Sequence, residues 1–305
     1  MTLRLDGRTA IVTGAGAGLG RHHALLLARQ GARVVVNDPG AAVNGSGGDQ
    51  TPAASVVAEI RAAGGEAVPS FESVATPEGA AAIVQTALDA FGGLDILVNN
   101  AGILRDRTFA KMELDDFRAV MDVHFWGSLY CTRAAWPVLN AQKYGRVILT
   151  TSVSATGGNF GQSNYASAKE GLLGLMRVLA LEGGRNNVLV NAISPGGLTR
   201  MSGEVDPEDA LMKALDPALV SPAVAWLASE RCDVTATILT AAAGGFGRLH
   251  YFETEGVQFD PTQEITVEMF DARFAEIADL TRGVATRPGP EGRILERLAM
   301  LETVK

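Results

Sequence analysis

The sequence predicts a doubly wound α/β fold: a parallel sheet of about seven strands, three layers deep, with helices over both faces. Three observations predict it. Short apolar runs alternate with Ala- and Leu-rich helical stretches along most of the 305 residues, the βαβα rhythm of such folds. The runs are hydrophobic throughout rather than alternating, as strands buried on both faces are. The first of them ends in a glycine-rich turn, "TGAGAGLG" at 13–20, that opens a helix.

In chain order, the candidate strands are 9–14, 32–38, 67–74, 94–102, 145–155 and 187–197, with a seventh through 234–245. Between them run helical patterns such as "GRHHALLLARQG" and "PEGAAAIVQTALDAFGG". The stretch "PGAAVNGSGGDQTP" (39–52) follows the second strand directly and reads as a long loop rather than a domain boundary. After Gly247 the pattern weakens, and Pro261, Pro288 and Pro290 divide polar helical segments. The expectation is one domain over 1–305, with a core fold over 5–245 and a helical C-terminal extension over 246–305 that serves as a lid or wall for substrate.

Composition excludes several classes. Hydrophobic residues make up 47% and charged residues 20%, ordinary for a globular protein. No apolar run reaches the roughly 18 residues of a membrane span, and the start lacks the layout of a signal peptide. Cys131 and Cys232 show no CxxC and no metal spacing, so no metal is expected. A net charge of −8 argues against nucleic acid as a partner. The final "TVK" is not a Ser-Lys-Leu address, which favours a cytoplasmic location.

Two motifs carry chemistry. Gly14, Gly18 and Gly20 permit a tight turn and let backbone approach a pyrophosphate at a helix N-terminus; the rival reading is a purely structural turn. Asp38 ends the next strand at the spacing expected of a ribose-binding carboxylate in a Rossmann-like unit. It would repel a 2′-phosphate, and no Arg or Lys nearby welcomes one, so NAD is favoured over NADP. The second motif is "SNYASAKEG": Tyr165 and Lys169 share one helix face. The bland account is a core Tyr beside a surface Lys. The functional one is a phenol whose pKa, near 10 when free, is brought down by the ammonium together with a positive nicotinamide so that it takes a proton from an alcohol.

Together, Thr-Gly-x-x-x-Gly-x-Gly, "NNAG" (99–102), Ser152 thirteen residues before Tyr-x-x-x-Lys, and "SPGG" (194–197) resemble the short-chain dehydrogenases/reductases over at least 5–245. Within that family, "VVVND", "NNAGILRDRTFAKM" and "GNFGQSNYASAKEGLLGL" resemble the branch of (3R)-hydroxyacyl-CoA dehydrogenase units of multifunctional β-oxidation enzymes. The resemblance implies an NAD-dependent oxidoreductase interconverting a secondary alcohol and a ketone, most concretely an acyl-CoA thioester pair. It makes Tyr165 the acid/base, Lys169 its partner and a nicotinamide-ribose ligand, and Ser152 the donor to substrate oxygen; Ser154 is a rival with the wrong spacing. It implies cofactor contacts at Gly14, Gly18, Leu19, Gly20, Asp38, Asn100, Ala101, Gly102, Pro195, Gly196, Leu198 and Thr199. Ser73 and Val74, read as the end of strand 3, would touch the adenine.

His124 stands in "DVHFWG" where many members have Asn; it either passes a proton or braces its helix. Arg105, Arg107 and Lys111 either meet CoA phosphates or form a solvated face. The resemblance further implies a homodimer or homotetramer and a separate hydratase as working partner. Two other readings stay open: a hydroxysteroid or other secondary-alcohol dehydrogenase, and a non-catalytic NAD-binding sensor or scaffold.

Overall fold

The computed structural model describes residues 3–196 and 214–286. Strands β1 (Thr9–Thr13), β2 (Arg33–Asn37), β3 (Ala67–Ser70), β4 (Ile96–Asn99), β5 (Gly145–Thr150), β6 (Val188–Gly196), β7 (Ile238–Ala242) and β8 (Gly245–Leu249) form one sheet in the order β3-β2-β1-β4-β5-β6-β7-β8. From β3 to β7 all pairings are parallel. Ile11 of β1 lies opposite Val35 of β2 on one side and Leu97 of β4 on the other. Strand order reverses between β1 and β4, and a crevice at the carboxyl ends of the strands is where doubly wound sheets bind ligands. Side chains latch the two strand ends there. Thr13 Oγ1 accepts from Asn100 N at 3.0 Å and Ala101 N at 3.1 Å, while Asn100 Nδ2 donates to Thr13 O at 2.9 Å.

Helices cover both faces. On one side α1 (Gly18–Arg29) packs on α2 (Thr51–Ala62) and on α8 (Ser221–Leu227); on the other, α3 (Pro77–Phe91) packs on α5 (Gly127–Gln142), and α4 (Leu114–Met121) on α7 (Ser163–Gly183). The short α6 (Val153–Gly157) precedes α7. Local signals explain the boundaries. Helix α3 starts with Thr76 accepting from Gly79 N, has Pro77 at its first position, and stops at Gly92 in a left-handed conformation with φ 77°. Ile11, Leu97, Ile148 and Leu149 of the central strands are fully buried, each contributing roughly 1.5–3 kcal/mol.

The amino ends of the strands carry a charged clamp. Arg8 pairs with Asp95 at 2.8 Å, whose other oxygen takes Thr9 N at 2.8 Å, and Arg8 also pairs with Glu230. Arg146, 3% exposed, donates to the carbonyls of Gly145, Asn187 and Ser229. The Tyr144 ring lies between both guanidinium groups, 3.6 Å from Arg8 Cζ and 4.3 Å from Arg146 Cζ.

Several elements depart from expectation. Strand β3 ends at Ser70 rather than 74, so Ser73 and Val74 lie in the turn before α3, not in a strand. The Asn37 side chain causes this: its Nδ2 donates to the Ser70 and Glu72 carbonyls and draws the chain out of the ladder. The seventh strand is shorter than 234–245, and an eighth follows it through a two-residue turn at Ala243 and Gly244, φ 49° and 77°. Both residues are left-handed, the geometry of a tight antiparallel hairpin. Between α4 and α5, residues Asp122–Trp126 form a π-helical turn closed by Gly127 N on Asp122 O. The chain divides into two compact units, Met1–Arg248 and Leu249–Lys305. In the second, expected to be helical, β9 (Phe252–Thr254) pairs antiparallel with β10 (Gly283–Ala285), alongside short helices at Val267–Ala272 and Phe274–Ile277. Strands of three residues are too short to display a period in sequence.

Candidate active site

One cleft in the first unit runs along the carboxyl ends of the strands. Its walls bring together Gly14, Gly18, Leu19, Asp38, Ser73, Val74, Asn100, Ala101, Gly102, His124, Tyr165, Lys169 and Pro195. Three expected residues lie behind the wall instead. Gly20 is buried against Gly14, where a Cβ would run into the Gly14 carbonyl. Gly196 abuts Ala242 of β7, and Ser152 reaches the cleft by its hydrogen bond to Tyr165. Leu198 and Thr199 lie outside the described residues.

At one end the glycine turn is a close fit. Gly14 has φ +63°, and a Cβ there would lie 2.7 Å from Ala101 Cα. Ala17 gives α1 no side-chain cap, so its first N–H groups are free to face an anion. The Asp38 carboxylate is fixed by two backbone donors, Gly16 N on Oδ2 at 2.8 Å and Gly40 N on Oδ1 at 2.7 Å. Each oxygen keeps a lone pair for a further donor. The loop after it folds over the cleft: Leu104 N donates to Val43 O at 2.9 Å and Arg105 Nε to Asn44 O at 2.9 Å. Pro39, Ala42, Val43 and Gly45 therefore join the lining. The sequence placed this loop but carried no signal of where it would close. The bare turn, the free helix end and the anchored carboxylate fit a dinucleotide.

At the other end, α7 carries Tyr165 and Lys169. Lys169 is 3% exposed, its Nζ donates to Thr150 O at 2.6 Å, and it sits 5.7 Å from the Tyr165 ring centroid. Burial pushes its pKa down to about 7. Burial also raises the Tyr165 phenol, against the Ser152 hydrogen bond, which lowers it, and with the Asp106 charge, which raises it. Among the chain's own groups burial is the largest influence and leaves the phenol above its ordinary value; the positive nicotinamide, which the expectation paired with the ammonium, would act in the opposite direction. Ser152 caps α6: its Oγ accepts from Ser154 N at 3.1 Å, which leaves its own proton to donate outward. Ser154 instead donates to Gln162 Oε1 at 2.9 Å, away from Tyr165.

His124 lies in the π-helical turn, its ring 5.0 Å from that of Tyr165, edge to face. Nε2 meets the Ile103 backbone, 3.0 Å from N and 2.8 Å from O, while Nδ1 is buried with no partner among the described residues. Burial first, then the Lys169 charge, holds the imidazole neutral. Gly102 passes so close that any Cβ there would strike the ring. Thr150 and Gln162 also shape the site, and sequence reasoning did not single them out; Thr13 entered it only as the first residue of the glycine motif. Only "GQSN" immediately ahead of Tyr165 offered a cue, for Gln162.

Comparison with known proteins follows from this geometry. A family model described as short chain dehydrogenase matches residues 8–210, and the chain belongs to that family. It is therefore an oxidoreductase of the class that uses a nicotinamide cofactor. Among individual relatives, it is 46% identical over 303 residues to the peroxisomal multifunctional enzyme type 2 of Drosophila melanogaster, covering 97% of this chain and 50% of that protein. It is 48% identical over 277 residues to a putative short-chain type dehydrogenase/reductase of Mycobacterium tuberculosis, covering 91% of this chain and 96% of that one. The solved structure of the full-length Drosophila enzyme matches with a TM-score of 0.82 and 40% identity, over 99% of this chain and 51% of that chain. A 7α-hydroxysteroid dehydrogenase complexed with NADH and 7-oxo glycochenodeoxycholic acid matches with a TM-score of 0.71 and 32% identity, over 79% of this chain and 95% of that one. The chain spans about half the length of its multifunctional relative. Among the described residues, no helix is long and apolar enough to cross a membrane, and no cluster has the makings of a metal site.

Proposed function

We propose that the chain is an NAD-dependent dehydrogenase of (3R)-3-hydroxyacyl-CoA thioesters, interconverting them with 3-oxoacyl-CoA. The observation that carries this reading is the meeting of Tyr165, Lys169 and Ser152 at one end of a cleft whose other end holds the anchored Asp38 carboxylate. In the oxidising direction, Tyr165 takes the hydroxyl proton of the alcohol as general base. Ser152 donates to the substrate oxygen, its own lone pair being occupied by Ser154 N. Lys169, anchored on Thr150 O, stabilises the phenolate and reaches toward the cofactor ribose. The cofactor, when bound, would accept hydride from the carbinol carbon and place a positive ring near the phenol. Gly14, Gly18, Leu19, Asn100, Ala101, Gly102, Pro195, Gly196, Leu198 and Thr199 are proposed cofactor contacts, with Ser73 and Val74 at the adenine. Asp38 would bind the adenosine ribose and exclude NADP.

The acyl-CoA substrate is supported by the similarity to multifunctional enzymes type 2 and to hydratase-dehydrogenase-epimerases. A second reading, a hydroxysteroid dehydrogenase, is favoured by the neighbour crystallised with a 7-oxo bile acid. Absorbance at the NADH band, with NAD or NADP and either CoA thioesters or steroid alcohols, tests both. Turnover only on free alcohols would remove the acyl-CoA reading. A Tyr165→Phe variant separates enzyme from mere binder: kcat should fall by roughly 10²–10⁴ while NAD still quenches intrinsic fluorescence. Full activity in that variant would sink the mechanism. We further propose a homodimer or homotetramer through α7, where Val178 and Leu181 are exposed, a separate hydratase as partner, and a cytoplasmic setting. Light scattering and fractionation check the first and last, the peroxisomal names of several relatives being the contrary indication for compartment.

A further inference from the structure

The turn ahead of Tyr165 contains a polar network, buried at Ser152, Ser154 and Gln162 and exposed at Asn159 and Asp106, that the proposed reaction does not use. Gln162, 8% exposed, accepts at Oε1 from Ser154 Oγ at 2.9 Å and Asn159 Nδ2 at 3.0 Å, and donates from Nε2 to Asp106 Oδ2 at 2.8 Å. Asp106 comes from the segment after β4. Its neighbours are stitched to the chain entering α7: Arg105 O accepts from Asn164 Nδ2 at 3.0 Å, and Arg107 N donates to Gly161 O at 3.0 Å. The carboxylate is thereby fixed beside the first turn of α7. At the far end of the network, Ser154 N holds Ser152 Oγ. One path therefore runs from Asp106 through Gln162, Ser154 and Ser152 to Tyr165.

We propose that Asp106 and Gln162 are positioning residues of the site: Gln162 fixes the turn that presents Ser152, and the Asp106 carboxylate it holds sets a negative charge against Lys169 at Tyr165. This rests on the reading of Tyr165 as the base. The groups facing Tyr165 are Lys169 on its own helix, Ser152 from α6, Asp106 from the segment after β4, and neutral His124 from the π-helical turn. Around Asp106, Arg105 is engaged by Asp116 at 3.1 Å, Arg107 Nη1 donates to the Asp106 carbonyl at 3.1 Å, and Lys111 lies on the 3₁₀ turn Phe109–Lys111. A fixed anion beside a phenol favours the neutral phenol. Its role is then to hold Tyr165 protonated until the substrate and cofactor charges are in place.

The test is Asp106→Asn, which keeps the shape and removes the charge. Two readouts are taken on the cofactor-loaded protein. One is the pH profile of oxidation; the other is the phenolate absorbance of Tyr165, obtained by subtracting the titration of a Tyr165→Phe protein. Both midpoints should move to lower pH by about half a unit, and Asp106→Glu should restore the original position. A phenolate midpoint that stays or rises would overturn the proposal. A phenolate that moves while the rate profile does not would leave the Asp106 assignment standing and remove Tyr165 as the base. Gln162→Ala should lower kcat about tenfold with KM changed less than twofold, the mark of a misplaced donor rather than lost binding. An unchanged kcat would overturn the positioning role.

Discussion

Lys169 sits where few lysines do, buried at the end of a helix turn with a single carbonyl as its described hydrogen-bond partner. Burial holds its pKa down at about 7, so charged neighbours weigh heavily on its protonation. The same logic makes Asp38 informative. Asp38→Ser should reduce the preference for NAD over NADP, read as the ratio of kcat/KM values, by at least about tenfold. It should also lower the melting temperature, because Gly16 N and Gly40 N lose their acceptors, at about 1–3 kcal/mol. A ratio that does not change would remove Asp38 as the selector. Tyr165, Lys169, Ser152 and the glycines were legible because fixed spacing on regular elements places them. Gln162 and Thr150 were not, since their partners are distant in sequence and chosen by the fold. The burial that raises Tyr165 was not legible for a related reason: spacing reveals the neighbouring charge, whereas removal from water is set by the fold.

At the level of elements, α1 ties the glycine turn to α8, its neighbour on the same face of the sheet. His23 is buried and meets Ser221 of α8 at 2.8 Å; burial lowers its pKa to about 3. The unfolded chain takes up that proton below about 6.5, whereas the folded chain does not. Stability is therefore complete above pH 6.5 and is lost as pH falls from there toward 3, by on the order of 4 kcal/mol from this residue. Thermal melts between pH 7 and pH 4 should show a falling Tm, and His23→Gln should flatten the slope; an unaltered slope would assign the acid sensitivity elsewhere. Gly20→Ala should weaken cofactor binding and lower Tm together, because the added Cβ meets rigid backbone. Strands β1, β2, β4, β5 and β6 were legible as continuous apolar runs. The end of β3 and the β7–β8 hairpin were less so, the one set by an asparagine side chain and the other marked only by Gly-Gly. The π-helical turn left no trace in periodicity, since one extra residue is absorbed within a continuous helix.

For the whole molecule, charge bears on the proposed substrate. A chain of net charge −8 repels a CoA thioester at a distance, and salt screens that repulsion within about 10 Å at 0.1 M. Between 20 and 150 mM salt, kcat/KM for the thioester should rise about twofold, with little change for an uncharged alcohol. A fall would instead assign the CoA phosphates to Arg107 and Lys111. The clamp formed by Arg8, Asp95, Tyr144 and Arg146 has a further meaning at this scale. It fastens the amino ends of the strands, while the cleft occupies their carboxyl ends. Anchoring and chemistry occupy opposite rims of one sheet, so they are separable under mutation. Random libraries confined to the cleft loops should return many folded proteins with altered substrate range, whereas libraries at the clamp should mainly return unfolded ones. A scaffold divided in this way can change what it acts on without first relearning how to fold.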